Sequence, residues 1–440
     1  MRSIGRRIFL RQGAVALVAL GLPPEFVTRT LFAGPLAGGG KTVVFLFQRG
    51  AVDGLSMVVP FGEEALYRAR RSIAIGAPGR GDPDGALDLD GFFGLHPSLA
   101  PLRDLYGRRE MTIVHASGSP HPTRSHFDAQ DFMETGTPGV KSTRDGWMNR
   151  LLAENPCGCE GRTLADAGAH AADHASGQMA MAESPLRAVA MSADMPQALR
   201  GAYSAVAMPD LERFGIADGR DASLEQTFRR MYRSGSGDLV AGAADESFEA
   251  IDLLRDADPL RYRPRDGVAY PDGEFGRSLR QIAQLIKANV GLEVAFADIG
   301  GWDTHLAQGG TRGQLANRLR ELAEGIRAFY DDLGDRMEDV VIVTMSEFGR
   351  TVAENGSGGT DHGHGNCMLL VGPAVAGGQV RGEWPGLDPE QLYEGRDLAI
   401  TTDFRDVFAE VVAGHLGADR LDRVFPGFET DPRRWRGVLG

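Results

Sequence analysis

Gly300-Gly301 ends the apolar run Val294-Ala295-Phe296-Ala297 and is followed at once by Trp302, Asp303, Thr304 and His305. Farther on, Gly359-Thr360-Asp361-His362-Gly363-His364-Gly365 repeats that mixture of glycine, carboxylate and imidazole. A packed core has no use for such groups, because burying each without a partner or a metal costs on the order of several kcal/mol. Asp53, Asp303 and Glu347 offer hard oxygen ligands, while His305, His362 and His364 offer imidazole nitrogen. Mixed ligation of this kind suits Zn²⁺, Mn²⁺ or Fe, and a mostly carboxylate subset suits Ca²⁺ or Mg²⁺. The expectation is a divalent metal held at the mouth of an α/β sheet.

Such a metal can lower the pKa of a bound hydroxyl or water and stabilise a phosphoryl or sulfuryl oxyanion. Pro122-Thr123-Arg124-Ser125 offers Ser125 and Thr123 as nucleophiles, just ahead of a helix expected to start near Phe127. The free N–H groups of a helix start favour an anion, and Arg124 and Arg350 are expected to clamp it bidentately. Each residue also has a plainer use. Asp53 can close the turn after the first strand, Glu347 can pair with Arg350, and Ser125 can cap its helix. His126 either orients that segment or binds the metal. His96 and His121 read as structural or loop residues, His170 and His174 as solvated, and His415 as a favourable charge at a helix end.

The elements that must position these residues alternate between two periods. Apolar or β-branched runs at Thr42 to Phe47, Met111 to His115, Val294 to Asp298, Val340 to Met345 and Cys367 to Val371 read as buried parallel strands. Leu279, Ile282, Ala283, Ile286 and Val290 recur at helical spacing, as do Leu315, Leu319, Leu322, Ile326, Phe329 and Leu333. Phe404 to Leu416 reads as a C-terminal helix behind Asp403. The alternation predicts an α/β fold, a mostly parallel sheet with helices on both faces. Residues 160–270 are rich in Ala, Gly and Asp and read as an insertion or subdomain, with Ala188 to Met191 as their one strand candidate. Ligands of open α/β sheets bind at the carboxyl ends of strands, and the polar clusters fall at four such ends.

Composition bounds the partners. The 440 residues carry a net charge of −13, which argues against nucleic acid or an anionic membrane. Three cysteines cannot form a disulfide framework. Cys157 and Cys159 read as incidental loop residues, since two ligands do not fill a zinc site, and Cys367 reads as core. Arg6-Arg7-Ile8-Phe9-Leu10-Arg11 followed by the short apolar stretch Gly13 to Leu22 resembles a twin-arginine signal, with cleavage expected after Ala33 or Ala37. The stretch is too short to span a membrane. Residues 1–37 are then a signal peptide read by the twin-arginine translocase, 41–435 the α/β domain, and the mature protein periplasmic with no membrane span.

These motifs carry a family resemblance. Arg49-Gly50-Ala51-Val52-Asp53-Gly54, Ser125-His126-Phe127-Asp128, Gly301-Trp302-Asp303-Thr304-His305, Ser346-Glu347-Phe348-Gly349-Arg350 and Thr402-Asp403-Phe404-Arg405, with the twin arginines, resemble domain-of-unknown-function family 1501. That family is placed near the alkaline-phosphatase and sulfatase superfamily. The resemblance implies an alkaline-phosphatase-like fold with Asp53 as first metal ligand, Asp303 and His305 as the Asp/His pair, and His364 as last metal histidine. It also places the nucleophile in the Thr123 to Ser125 segment. The chain departs from the superfamily at Phe348, which stands where a ligand histidine is expected, in the short Asp303/His305 spacing, and in lacking the sulfatase cysteine. Two functions follow as expectations: an exported metal-dependent hydrolase of small phosphate or sulfate esters, or a non-catalytic periplasmic metal- or ligand-binding protein of the same fold. Because the export receptor reads the arginine pair, replacing Arg6 and Arg7 by Lys should strand precursor in the cytoplasm. Fractionation that finds undiminished periplasmic protein would refute the signal.

Overall fold

Thr42–Gln48 (β1) is a run of β-branched, aromatic and aliphatic residues, all seven buried, and it forms the middle of the sheet. Alternate side chains leave it on opposite faces. Val43, Phe45 and Phe47 enter one apolar layer, while Val44 and Leu46 enter the other. The computed structural model describes residues 40–79, 83–155, 184–213 and 249–440, together with Leu17–Val18. The twin arginines, both expected cleavage sites, Cys157, Cys159, His170 and His174 lie outside the described residues.

The further strands of this sheet are Met111–Gly118 (β2), Ala188–Ala190 (β3), Val206–Ala207 (β4), Val294–Ile299 (β5), Val340–Met345 (β6), Asn366–Val371 (β7), Val380–Arg381 (β8) and Thr402–Asp403 (β9). Their order across the sheet is β4-β3-β5-β1-β6-β7-β2-β8, with β9 also paired to β2 and Leu17–Val18 to β4. The protein is therefore α/β with a mostly parallel, mixed sheet. Residues 184–213 belong to this sheet through β3 and β4.

The run Cys367 to Val371, expected as a parallel strand, departs from that expectation. β7 runs antiparallel to both β6 and β2. The reason is connectivity: a parallel return needs a crossover of a dozen or more residues, usually a helix. Residues 346–365 contain no helix and stay at the edge where β6 ends, so the chain can only descend.

Helices cover both faces. Glu274–Lys287 (α3) and Gln314–Leu333 (α4) pack Leu279, Ile282, Leu319, Leu322 and Ile326 on one side. Trp147–Glu154 (α2) and Phe404–Leu416 (α5) cover the other. Asp403 caps α5 by accepting from the Arg405 N–H. His126–Thr135 (α1) begins at the carboxyl edge of the sheet, where His126 meets Glu347. Among the described residues, no helix is long and apolar enough to cross a membrane.

The α2 face is keyed by one aromatic group. Trp147 is fully buried, edge-on to Phe45 at 5.0 Å, stacked on Phe408 at 4.9 Å and 5.4 Å from Phe425. Trp147→Ala should therefore cost about 3–5 kcal/mol of stability, the usual cost of a buried aromatic cavity. Denaturant unfolding measures this, and a loss below about 1 kcal/mol would show that the layer recloses.

Candidate metal centre

β5, β1 and β6 are adjacent and parallel, so the segments that follow them leave from one edge. The segment after β1 carries Gly50, whose φ of +117° disfavours a side chain, and an added Cβ there would lie 2.8 Å from the Asp303 nitrogen. The turn after β5 is anchored by Trp302, fully buried and donating from Nε1 to the Ile299 carbonyl at 2.7 Å. In the loop after β6, an Arg350–His362 bridge folds the chain back on itself. Gly363 fits this fold-back because a Cβ would lie 2.3 Å from the Arg350 carbonyl carbon.

Three imidazoles and one carboxylate meet there. Asp303 Oδ1 lies 3.1 Å from His305 Nε2, 3.2 Å from His362 Nε2 and 3.5 Å from His126 Nε2. His305 Nε2 and His362 Nε2 are 2.9 Å apart. A tetrahedral shell with metal–ligand bonds of about 2.0–2.1 Å separates its ligand atoms by about 3.3 Å, close to the three distances from Asp303, and the ligand atoms of His126, Asp303 and His362 all lie within 4.8 Å of one another.

The outer ring nitrogens decide the tautomers. His126 Nδ1 donates to Glu347 Oε1 at 2.8 Å, His305 Nδ1 to Asp361 Oδ1 at 3.0 Å, and His362 Nδ1 to the Arg124 carbonyl at 2.8 Å. Those acceptors require a proton on each Nδ1. Every neutral ring then turns its Nε2 lone pair inward. Facing lone pairs beside a carboxylate repel unless a proton or cation lies among them. His126 Nε2 is buried with no hydrogen-bond partner. Each of the three rings thus has an outer acceptor of the kind that orients metal-bound histidine.

Charge is arranged to match. Burial would raise the Asp303 pKa, but the Arg350 bond at 2.6 Å, that cation's charge and the nearby imidazoles outweigh it and bring it down to about 2. His126 is raised, chiefly by its bond to Glu347. Burial lowers His362. Phe348, the residue in place of an expected histidine, sets its ring tilted, 4.9 Å from His126 and 5.0 Å from His362. It is an apolar floor for the two rings.

The model for the protein of unknown function DUF1501 matches residues 110–424. The chain belongs to this family. No curated protein matches it. Among solved structures, Ps i-CgsB in complex with k-i-k-neocarrahexaose aligns over 89% of this chain and 75% of that one, at 11% identity and a TM-score of 0.37.

In this DUF1501 protein, the expected site residues divide. Asp303, His305 and His362 converge, joined by His126, which the sequence left between orienting and binding. Glu347 is fully buried and acts one step out: its Oε1 accepts from His126, Gln130 and the Gly50 N–H. Asp53 does not face the cluster. It is buried in a bidentate pair with Arg70 at 2.6 and 3.0 Å and accepts from Gln308 at 2.7 Å. His364 stacks on Tyr393 at 4.2 Å, and burial pushes its pKa down to about 4.

Neither arginine is free to clamp an anion. Arg124 is tied to Asp397 at 2.6 Å and Glu394 at 2.7 Å. Arg350, buried, donates to Asp303 and to the Gly50, Ala51, Trp302 and Thr360 carbonyls. Ser125 occupies the N-cap position of α1 without a side-chain capping bond, and Thr123 Oγ1 accepts from the Ser125 N–H at 3.2 Å. A cleft of about 890 Å³ adjoins this edge but is lined by Arg49, Glu134, Asp298 and Arg318 and by none of the four convergent residues.

This division sets opposite outcomes for two carboxylates. Asp53→Asn leaves Arg70 buried without its counter-charge and should cost about 3–5 kcal/mol, with metal content near wild type at neutral pH. Although burial opposes it, Arg70 holds the Asp53 pKa below its ordinary value. The native pair therefore contributes stability above the ordinary carboxylate range and loses it as pH falls through the lowered pKa. Glu347→Gln should weaken metal binding about 10–100-fold, as loss of an orienting carboxylate does. Unfolding curves and metal titrations of both variants check the split, and a reversed pattern would make Asp53 the ligand.

Proposed function

We propose that this DUF1501 protein is an exported, single-metal hydrolase of small ester substrates, with phosphate and sulfate esters as the leading class. The observation that carries the reading is the convergence of three inward imidazole nitrogens on Asp303 Oδ1, each ring held by its own acceptor. Three nitrogens and one oxygen favour Zn²⁺ or another transition metal over Ca²⁺ or Mg²⁺, which take oxygen shells. Asp303 and His305 are 47% and 41% exposed, so the centre opens to solvent, as catalytic rather than structural metal sites do. When bound, the metal supplies Lewis acidity toward a substrate or water oxygen.

The protein's own residues do the remaining work. Glu347, Asp361 and the Arg124 carbonyl fix the three rings, and Arg350 keeps Asp303 ionised and aimed. Ser125 precedes His126 directly, and its uncapped hydroxyl lies at the start of α1, where free N–H groups favour an anion. We assign it as the nucleophile. The motif order is that of an alkaline-phosphatase-like sheet whose metal set is reduced to one centre. Export by the twin-arginine translocase would deliver the folded, loaded protein to the periplasm.

The engagement of Arg124 and Arg350 favours a second reading, a periplasmic metal- or ligand-binding protein without turnover, because neither of the two expected arginines is left to hold a substrate anion. Asp303→Asn and His126→Ala should each lower metal content well below wild type, measured on purified protein by elemental analysis. Ser125→Ala should keep the metal and lose aryl phosphate and aryl sulfate turnover. Full metal occupancy in both ligand variants would remove the hydrolase reading, and a loaded wild type that turns over neither ester would leave the binding protein.

A further inference from the structure

Among the described residues, four large hydrophobic side chains are exposed: Phe127 at 85%, Leu306 at 65%, Val140 at 47% and Leu260 at 37%. Single exposed apolar residues are ordinary. The two most exposed here, however, directly follow two of the convergent imidazoles, His126 and His305. Neither stands out because its backbone is loose. Phe127 lies in the first turn of α1, where the Ala129 N–H closes onto the Ser125 carbonyl at 2.9 Å. Leu306 is held by Gln314 Nε2, which donates to its carbonyl at 3.0 Å. The next residues donate from Ala307 to Ser357 and from Gln308 to Gly358, at 3.0 and 2.9 Å. Ala307 adopts a φ of +47°, a conformation that non-glycine residues rarely take. The backbone is thus fixed with both apolar side chains turned to water, each one residue along the chain from a convergent imidazole.

We infer that the centre selects amphiphilic small molecules, with an oxyanion or chelating head at the His126, Asp303, His305 and His362 cluster and an aryl or alkyl group covering Phe127 and Leu306. The inference rests on the metal reading above and deepens it by naming the substrate class. Neither expected arginine is free to recognise a charged tail, so apolar contact is the discrimination these two side chains offer. Covering exposed apolar surface of this size is worth about tenfold to a hundredfold in affinity.

Two hydroxamates separate the ideas, because both carry the same metal-seeking head and differ only in the tail. Full-length protein loaded with Zn²⁺ is titrated calorimetrically with acetohydroxamate and octanohydroxamate. Octanohydroxamate should bind wild type at least tenfold tighter. In the Phe127→Ser, Leu306→Ser double variant, which should retain zinc, that ratio should fall to near one. Equal affinity for the two probes in wild type, with zinc bound, would overturn the selectivity and leave the metal centre standing. Failure to take up zinc at all would remove the metal reading and this inference with it. A concentration-dependent dimer, or binding to zwitterionic vesicles, that the double variant abolishes while the probe ratio stays high would assign the two residues to a second copy or to a lipid surface instead, and would also overturn it.

Discussion

The buried guanidinium of Arg350 is the contact on which the site depends. It joins the Gly50 and Ala51 carbonyls after β1, Trp302 and Asp303 after β5, and Thr360 in the loop after β6. A fully buried cation is costly unless its donors are met. Here the planar fork spans acceptors on three chain segments, which a lysine ammonium on its flexible stem could not reproduce. One residue thereby sets the separation of the turn carrying Asp303 and His305 from the loop carrying His362. The ionisation of Asp303 follows from the same contact.

The reversal of β7 has a related consequence. Because the chain between β6 and β7 never crosses the sheet, the whole of 346–365 remains on the carboxyl edge. That loop supplies Glu347, Arg350, Asp361 and His362: an orienting carboxylate, the pinning cation, a second orienting carboxylate and a convergent imidazole. A crossover helix would have carried most of that chain to the opposite edge. Close backbone approaches at Gly50 and Gly363 then let the loop lie against the β1 and β5 turns.

Much of this is legible in the sequence. Strands buried on both faces read as continuous apolar runs, and five such runs mark five of the central strands. The direction of β7 was not legible from its residues, since an apolar run looks the same either way up. Its cue was the missing helical pattern between Met345 and Cys367. Asp303, His305 and His362 announced themselves by type on glycine-rich turns. His126 lacked that setting, sitting at a helix start beside a serine, and only the fold brings it across to Asp303. Asp53 looked like a ligand because a carboxylate at a strand end usually faces the site. Its partner Arg70 carries no mark in sequence that would say so. Arg124 misled in the same way, because its partner Asp397 is far along the chain and meets it only through the fold.

The loss of both arginines as anion clamps changes where oxyanion affinity must come from. With its imidazoles neutral, as metal ligation would require, the convergent set would hold one formal negative charge, on Asp303. Against a divalent cation this leaves one positive charge uncompensated within the ligand shell. Glu347 and Asp361 stand one imidazole farther out, so they sharpen the basicity of His126 and His305 without occupying the shell themselves. Attraction for an anionic oxygen would then reside in the centre rather than in flanking cations, and the flanks would be free to be apolar. Phe127 and Leu306, each next in the chain to a convergent imidazole, are consistent with such a division of labour, in which charge selects the reacting head of a ligand and hydrophobic contact selects the rest.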